Sequence, residues 1–387
     1  MKNLALYSQL VHCAALLHQL QRVPCLAGFC QKLREFWLNP QISDDEILAI
    51  LSAGNQTLIE PDFKLFCEFW SPALYDPARK QLSWLPAADK PTSSFYAEHI
   101  GKLKGQLLAA LIQPKTLLDV TLQQIDFLPD VVPSGFIFHL SRCGSTLVSR
   151  SFALLTQCRV LSESPLLTQI LLDSNLSETE KAKALRLSIN LQGRLYKQER
   201  HLMIKWNAWD LQFWPLILSL YPSVAVLLLV REPLEILASH QKSAGFHMVR
   251  HDRGQLFPLL HQAARLSPLE YRSSVLQLLL KYGLTMVQLQ RALLIDYSEL
   301  LPAICGKIAQ WFGISLRPED LESCLQSQAM HSKQPELQFK PDARAKQTVF
   351  LQQDRQLIED YCQNLYLQSL SSSASSSLCP KNHLISS

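Results

Sequence analysis

The sequence predicts an α/β fold in which a P-loop-like parallel sheet is flanked by helices and preceded by a mainly helical N-terminal region. Short apolar runs alternate with helical stretches after residue 131, as strands and crossover helices do in a parallel sheet. Two of these runs break into polar turns that open helices. The chain has 387 residues and is 48% hydrophobic, which allows a substantial core and about two domains. The runs are centred near Phe136, Val160, Met203, Val226 and Leu294.

Residues 1–130 form an accessory region of unknown role in this prediction. Helices are expected over residues 4–21, 44–53 and about 95–112, with a Pro- and Asp-rich middle over residues 71–91. The uncharged stretch after Lys2 could also pass for a weak signal peptide. Its apolar residues recur at helical spacing between polar ones, which favours an amphipathic helix. Residues 131–368 are assigned to the α/β domain, and the Ser-rich residues 369–387 to a disordered tail.

Composition excludes several classes of protein. The formal net charge is only +4 and no basic stripe is interleaved with aromatics, so nucleic acid is not an expected partner. No apolar run approaches the roughly 20 residues that a transmembrane helix needs. The 10 cysteines include no CxxC pair and no His/Cys cluster at zinc spacing. Reduced thiols in a cytoplasmic protein without a metal site are therefore expected.

The most informative segment is residues 134–147, with the sequence SGFIFHLSRCGSTL. An apolar strand ends in a turn of small residues that opens a helix, where backbone amides and the helix dipole favour an anion. Gly144 allows a close backbone approach, Ser145 and Thr146 add hydroxyls, and Arg142 adds a cation. The segment lacks the Lys that follows the last glycine of a Walker A motif. The alternative is a plain capped helix start.

A second segment, residues 223–239, repeats the strand-to-helix pattern and delivers a cation at the strand's end. The strand ends at Arg231, where a magnesium-dependent kinase or nucleotide hydrolase usually places an Asp. Pro233 suits the first turn of the following helix, and Ser239 lies two turns further on. Arg231 and Ser239 could hold a second phosphate. The alternative is an Arg231–Glu235 salt bridge with Ser239 packed in mid-helix.

Together the two segments resemble the sulfotransferase superfamily, which binds 3'-phosphoadenosine 5'-phosphosulfate. Residues 331–335 and 339–342 are similar to the C-terminal part of its bacterial-type members. A third similarity is residues 293–300, LLIDYSEL, which match a strand followed by Tyr-x-x-Leu. The resemblance spans about residues 132–341 and leaves the adenine-binding residues unassigned. It implies that Arg231 and Ser239 bind the 3'-phosphate. It implies that the 5'-phosphosulfate is bound by Ser141, Arg142, Cys143, Gly144, Ser145 and Thr146.

Sulfuryl transfer needs a cation at the leaving phosphate, donors on the sulfuryl oxygens and a base for the acceptor. Arg142 and the loop amides can supply the first two. Glu163 is the preferred base, because it follows a short strand whose carboxyl end lies at the active edge of a parallel sheet. Similar sulfotransferases use a Glu in this region. The alternative is a helix-start carboxylate that stabilises the helix dipole.

Three further residues have competing interpretations. His139 is the second candidate base, although its place inside the strand favours a core or loop-supporting role. Lys205, at another strand end, could reach the leaving group or the acceptor, or lie at the surface. Cys143 is interpreted as structural rather than nucleophilic. The basic residues 242–253 suit a mobile cover over an anion, or equally a solvated loop.

The sequence therefore predicts a sulfotransferase whose co-substrate is 3'-phosphoadenosine 5'-phosphosulfate and which needs no metal. Its acceptor is expected to be a hydroxyl or amine of a small molecule, glycan or lipid, and a homo-oligomer is possible. Two alternatives remain open at this stage. One is an ATP-dependent P-loop phosphotransferase, and the other is a non-catalytic nucleotide-binding protein of the same fold.

Overall fold

The structure is a computed structural model that describes residues 2–87, 90–250, 256–257, 260, 266–322, 330–331, 334–338 and 349–374. The chain divides into two compact units. Unit 1 comprises Met1–Val132 and Glu163–Tyr196, and unit 2 comprises Pro133–Ser162 and Lys197–Ser387. No helix within the described ranges is long and apolar enough to cross a membrane.

Unit 1 combines helices with a small antiparallel sheet. The sheet has the order β1-β2-β3, formed by β1 (Trp70–Asp76), β2 (Gln81–Pro86) and β3 (Lys115–Leu117). Ser-x-x-Glu capping boxes precede the helices Asp44–Gln56 and Glu178–Gln192 and satisfy amides that a helix start leaves unpaired. The helices are α1 (Lys2–Val11), α2 (Ala14–Leu20), α3 (Leu26–Phe36), α4 (Asp44–Gln56), α5 (Phe63–Phe66), α6 (Tyr96–Lys104), α7 (Leu107–Leu111), α8 (Leu118–Leu122), α10 (Pro165–Leu172) and α11 (Glu178–Gln192).

Unit 1 differs from the sequence prediction in three places. The Pro- and Asp-rich residues 71–91 contain most of the β1–β2 hairpin, and each of the two long predicted helices is two shorter ones. Residues 163–196 belong to this unit rather than to the α/β unit. Buried polar contacts explain that assignment. Tyr75 Oη donates to Asp173 Oδ2 at 2.7 Å, and Gln192 Nε2 donates to the Pro72 carbonyl at 2.8 Å.

Unit 2 contains a five-stranded parallel sheet with the order β5-β6-β4-β7-β8. Its strands lie where the sequence predicted them. This sheet, flanked by helices, confirms the predicted α/β fold. Every residue of β4 and β5 is buried, as expected for strands covered on both faces. The strands are β4 (Gly135–His139), β5 (Cys158–Ser162), β6 (His201–Lys205), β7 (Ala225–Val230) and β8 (Leu293–Asp296).

The helices of unit 2 follow the strands or cover the sheet. Short 3₁₀ segments lie at Ala208–Phe213, Phe246–Met248 and Tyr297–Glu299, and π-helical segments at Ile304–Ile308 and Glu359–Gln363. An antiparallel ribbon pairs β9 (Met330–His331) with β10 (Gln334–Gln338). The helices are α9 (Ser145–Ala153), α12 (Trp214–Leu220), α13 (Pro233–Lys242), α14 (Pro268–Gln288), α15 (Leu300–Ala303), α16 (Ala309–Trp311), α17 (Gln352–Ile358) and α18 (Asn364–Ala374).

The C-terminal helix corrects part of one prediction. Helix α18 extends through Ala374, so residues 369–374 of the expected disordered tail are helical. Residues 375–387 lie outside the described part of the chain.

The order of the parallel strands makes the carboxyl end of β4 a topological switch point. Strand β4 lies between β6 and β7, and the chain adds strands on one side of it before it crosses to the other. Such a topological switch point is where open α/β sheets bind their ligands. On one sheet face the ring of Trp206 packs on Phe138 and Phe136, with centroids 6.1 and 5.6 Å apart, which fixes the end of β6 beside β4.

Candidate functional site

The turn between β4 and α9 has an unusual backbone. Ser141 and Arg142 adopt φ values of 72° and 53°, and Gly144 adopts 79°. Left-handed residues interspersed in a turn direct successive amides into a concave anion-binding surface. Gly144 cannot be replaced without strain, because a Cβ there would lie 2.3 Å from Leu300 Cδ2 and 3.1 Å from the Tyr297 ring. The Tyr-x-x-Leu element therefore closes one side of the turn.

Ser141 is held in its left-handed conformation through three of its atoms. Its amide donates to His139 Nδ1 at 3.0 Å, and its carbonyl accepts from Cys143 Sγ at 2.9 Å. Its hydroxyl lies 3.1 Å from His240 Nε2. A strained residue persists only where its surroundings determine its conformation, as they do here. His139 thus supports the loop, which was one of its two interpretations.

The N-terminus of α9 presents its amides beside two buried hydroxyl residues. The N-cap is Gly144, which has no side chain to occupy these amides, and Ser145 and Thr146 begin the helix. Lys205 lies at the end of β6 with only 1% of its surface exposed, and its Nζ is 3.4 Å from Thr146 Oγ1. The interpretation of Lys205 as a surface residue is wrong, because the side chain is buried beside the loop.

Arg142 and Arg231 follow the two neighbouring strands β4 and β7. Arg142 Nη2 donates to the Ser243 carbonyl at 2.5 Å, and burial lowers the pKa of this guanidinium from its ordinary value. Arg231 donates from Nη1 to the Arg142 carbonyl at 3.2 Å and lies 3.8 Å over the ring of Tyr297. The turns after the two strands are therefore in direct contact.

Arg231 also forms the salt bridge that was its alternative interpretation. Its Nε donates to Glu235 Oε2 at 2.7 Å, and its Nη2 contacts the same oxygen. Ser239 is half-buried on α13, and its carbonyl accepts from the amide of Ser243 at 3.2 Å. That Arg231 and Ser239 bind a phosphate stays a prediction.

Glu163 follows β5 directly and is half-buried. Its φ of 55° places a non-glycine residue in the left-handed region, at the carboxyl edge of the parallel sheet. Such local strain occurs at functional positions often enough to motivate a test. The role of Glu163 as the base stays a prediction.

Cys143 is fully buried inside the loop. Burial is the main reason that the pKa of its thiol is raised, to about 12. The thiol is therefore protonated at neutral pH, where only a thiolate would be a strong nucleophile. Among the residues that the structure describes, no group of three or more His, Cys, Asp or Glu side chains is placed to hold a metal ion.

Sequence reasoning missed His240. It is fully buried on α13, and its Nδ1 accepts from the Gly245 amide at 3.1 Å. The available signal was its i+4 spacing from the buried Ile236, which places both on the inner face of the helix. Of the basic segment 242–253, residues 242–250 are described, and they include the contacts of Ser243 and Gly245. Residues 251–253 lie outside the described ranges.

Comparisons with known proteins return sulfotransferases only at the level of solved structures. The sulfotransferase domain from the Synechococcus PCC 7002 olefin synthase is 18% identical, with a TM-score of 0.35 over 60% of this chain and 96% of that one. The sulfotransferase domain from the curacin biosynthetic pathway is 14% identical, with a TM-score of 0.37 over 60% and 98%. A sulfotransferase from Alicyclobacillus acidocaldarius is 16% identical, with a TM-score of 0.35 over 59% and 95%.

No protein-family model matches the chain, and no curated protein sequence is significantly similar to it. The three solved structures are sulfotransferases or sulfotransferase domains by name.

Proposed function

We propose that this protein is a sulfotransferase that moves a sulfuryl group from 3'-phosphoadenosine 5'-phosphosulfate to a hydroxyl or amine acceptor. One observation carries the proposal. The three adjacent strands β6, β4 and β7 each bring a cation to the carboxyl edge of the sheet, namely Lys205, Arg142 and Arg231. An edge lined by cations beside an uncapped helix N-terminus suits a ligand with several negative charges.

The residues of the loop match the charge that develops during sulfuryl transfer. The donor would supply the sulfuryl group and leave as adenosine 3',5'-bisphosphate. The amides that begin α9 and the hydroxyl of Thr146 would bind its anionic oxygens, and Lys205 lies within 3.4 Å of that hydroxyl. Arg142 would stabilise the negative charge on the leaving phosphate.

Glu163 is the base that we propose for the acceptor. Glu163 directly follows β5 in the chain, and β5 belongs to the same parallel sheet as β6, β4 and β7. His139 is the weaker candidate, because its Nδ1 already accepts the amide hydrogen of Ser141. The acceptor is proposed to be a hydroxyl or amine of a small molecule, glycan or lipid.

The identity of the residues at the strand ends favours sulfuryl over phosphoryl transfer. Magnesium-dependent phosphotransferases of the P-loop type hold their metal with an Asp from a neighbouring strand and place a Lys after the loop glycine. This chain has Arg231 after β7, and Gly144 is followed directly by Ser145. The Asp that would hold the magnesium ion and the Lys that would follow the loop glycine are therefore replaced by Arg231 and Ser145.

Calorimetric titration tests the donor half of the proposal. The full chain is titrated with adenosine 3',5'-bisphosphate without metal and, separately, with ATP and Mg²⁺. We expect micromolar or tighter binding of the bisphosphate and a more than tenfold preference for it over ATP, because only the bisphosphate carries a 3'-phosphate. A preference for ATP with Mg²⁺ would overturn the proposal in favour of phosphoryl transfer.

Turnover tests the catalytic half. The donor is incubated with a panel of hydroxyl acceptors and the release of the bisphosphate is measured by chromatography. Glu163→Gln should retain bisphosphate binding but lose at least about 100-fold in kcat, as expected for loss of a general base. Glu178→Gln, an exposed carboxyl at the start of α11, is the matched control. Binding without turnover for every acceptor would indicate a non-catalytic nucleotide-binding protein.

A further inference from the structure

Three hydrogen bonds, together with the covalent chain between their residues, form a closed ring between the phosphate-binding turn and the segment that follows α13. Arg142 Nη2 donates to the Ser243 carbonyl at 2.5 Å, and two residues later the Gly245 amide donates to His240 Nδ1 at 3.1 Å. His240 Nε2 lies 3.1 Å from Ser141 Oγ, and Ser141 is covalently bonded to Arg142. The ring therefore returns to the arginine where it began.

The hydrogen bonds of His240 define its protonation state. A backbone amide can only donate, so Nδ1 carries no hydrogen where it accepts from Gly245. The imidazole is then neutral with its hydrogen on Nε2, and that hydrogen is donated to the Ser141 hydroxyl. Each ring nitrogen thus has a defined role, one toward the turn and one toward the segment.

The surroundings of His240 leave little freedom for this arrangement. The side chain is fully buried, and the ring of His247 packs edge-on against it with centroids 5.6 Å apart. A Cβ on Gly245 would lie 3.3 Å from His240 Cε1 and 3.1 Å from His247 Cε1, so a glycine suits the close approach of the segment. The segment is held against the histidine at the point where its amide donates.

We propose that His240 is a positioning residue that sets the orientation of the Arg142 guanidinium. It fixes Ser141, which precedes Arg142, from one side, and the segment that carries the Ser243 carbonyl from the other. This inference rests on the proposed function, in which Arg142 stabilises the leaving phosphate. A misplaced guanidinium would still attract the donor but would stabilise the transition state less, so kcat should fall more than KM rises.

Two variants separate the two bonds of the histidine. His240→Asn places an amide oxygen near the position of Nδ1 and keeps an acceptor for Gly245, while it loses the bond to Ser141. His240→Gln places an amide nitrogen near the position of Nε2 and keeps a donor for Ser141, while it loses the bond to Gly245. His201→Asn is the matched control, because His201 Nδ1 contacts the Ser134 hydroxyl at 3.3 Å and begins β6, at the opposite edge of the sheet.

Hydrogen exchange and kinetics are measured on all three variants of the full chain. His240→Asn should speed amide exchange in a peptide covering residues 139–148, and His240→Gln in one covering residues 241–250. Both should lower kcat for donor turnover by about 10- to 100-fold, with the KM for the donor within about threefold of wild type. The control should change neither quantity by more than about twofold.

Three outcomes would overturn the proposal. In the first, both His240 variants keep the kcat of the control, so the histidine does not act through Arg142. In the second, the variants lose kcat but exchange rises equally across both peptides, which indicates general loosening rather than two separate bonds. In the third, the wild type turns over no donor, which defeats the proposed function and this inference with it, and the absent wild-type turnover distinguishes that case.

Discussion

In unit 2, the helices that follow the neighbouring strands β7 and β4 begin in different ways. After β7, the carboxylate of Glu232 caps its own helix and accepts from the Glu235 amide at 3.0 Å, and Pro233 follows. After β4, the N-cap is Gly144, which brings no side chain to the amides of α9. The two helices follow adjacent parallel strands, yet of these two only α13 has a first-turn amide bonded to the side chain of its own N-cap residue.

In the proposed site, backbone amides and side chains therefore have different roles at the two strand ends. At the β4 end the chain offers amides, so an anion can take the place of a cap. At the β7 end the amides are used, and the contribution is the side chain of Arg231, which bonds to the carbonyl of Arg142. Anion binding is expected where a helix start is left open beside a cation, not at every helix start of the sheet.

The largest expected effect is that of Gly144→Ala, which closes the open end. The new Cβ would combine a φ of 79° with a contact of 2.3 Å to Leu300 Cδ2. We expect a loss of about 2 to 4 kcal/mol in the free energy of unfolding, from strain and overpacking together, and loss of detectable bisphosphate binding. Urea unfolding and calorimetry measure the two effects.

Gly306→Ala is the matched control for that prediction. Gly306 is exposed in a helical segment, and a Cβ there would meet nothing within 4 Å. It should leave the unfolding free energy within about 1 kcal/mol and bisphosphate binding unchanged. Equal affinity of wild type and Gly144→Ala for the bisphosphate would show that the turn is not the anion site.

The next effect concerns the side-chain contribution at the β7 end. Arg231→Ala should weaken binding of adenosine 3',5'-bisphosphate by about 10- to 100-fold, the value of one or two charge-assisted hydrogen bonds. Binding of adenosine 5'-phosphate should change by less than about threefold, since it lacks the 3'-phosphate. Calorimetry with both nucleotides measures the difference. An equal loss of affinity for both nucleotides would show that Arg231 does not bind the 3'-phosphate.

A second variant separates the loss of nucleotide binding from a loss of stability. Arg231→Ala leaves the carboxylate of Glu235, which is 9% exposed, without its partner, and such a change costs about 3 to 5 kcal/mol. The double variant with Glu235→Gln removes both charges and should recover much of that stability, while it still weakens binding of the bisphosphate more than binding of adenosine 5'-phosphate. Glu235→Gln alone should bind the bisphosphate at least as tightly as wild type, because a phosphate no longer competes with the carboxylate.

The fold of unit 2 could be predicted because its strands are buried on both faces. A strand such as residues 225–230, AVLLLV, has apolar side chains on both faces, and it can bury them only in a sheet that helices cover on both sides. The hairpin of unit 1 could not be predicted in the same way. Pro72, Asp76 and Pro86 interrupt its pattern, and they are tolerated because the hairpin belongs to a small three-stranded sheet with a register shift near Pro72.

The site was partly predictable for a related reason. A glycine-containing turn and an Arg-x-Pro turn are local patterns, so the sequence alone indicates that Gly144 and Arg231 follow two strands, as they do in the structure. His240 acts through contacts with residues 99 positions earlier and 5 later, which no local pattern reveals. The grouping of residues 163–196 with unit 1 has no local signal either, because their partners, such as Tyr75 and Pro72, are also distant in the sequence.

A smaller effect concerns the buried thiol of Cys143, inside the turn that follows β4. Because burial raises the pKa of Cys143 to about 12, its thiol should resist alkylation at pH 8. We expect iodoacetamide to modify it at least about 100-fold more slowly than the exposed Cys25, as peptide mass spectrometry can measure. Similar alkylation rates for Cys143 and Cys25 would show that the turn opens often enough to expose the Cys143 thiol, which conflicts with a rigid anion-binding surface.

The smallest effect belongs to the cap at the β7 end. Burial raises the pKa of the Glu232 carboxyl above its ordinary value, against the opposing hydrogen bond from the Glu235 amide. The folded protein therefore holds this proton more tightly than the unfolded chain, so the contribution of Glu232 to the free energy of unfolding falls as the pH rises through the raised pKa. Glu232→Gln keeps an oxygen for the cap and abolishes the titration.

The difference in unfolding free energy between wild type and Glu232→Gln should shift against the wild type as the pH rises from about 4 toward neutrality. Because the side chain is only partly buried, we expect a shift below about 1 kcal/mol. Glu299→Gln, an exposed carboxyl after β8, provides the control titration. A difference that moves the other way would mean that the cap is stabilised by its charge. The β7 end would then resemble an anion site already filled by its own carboxylate, and the contrast with the open β4 end would become stronger.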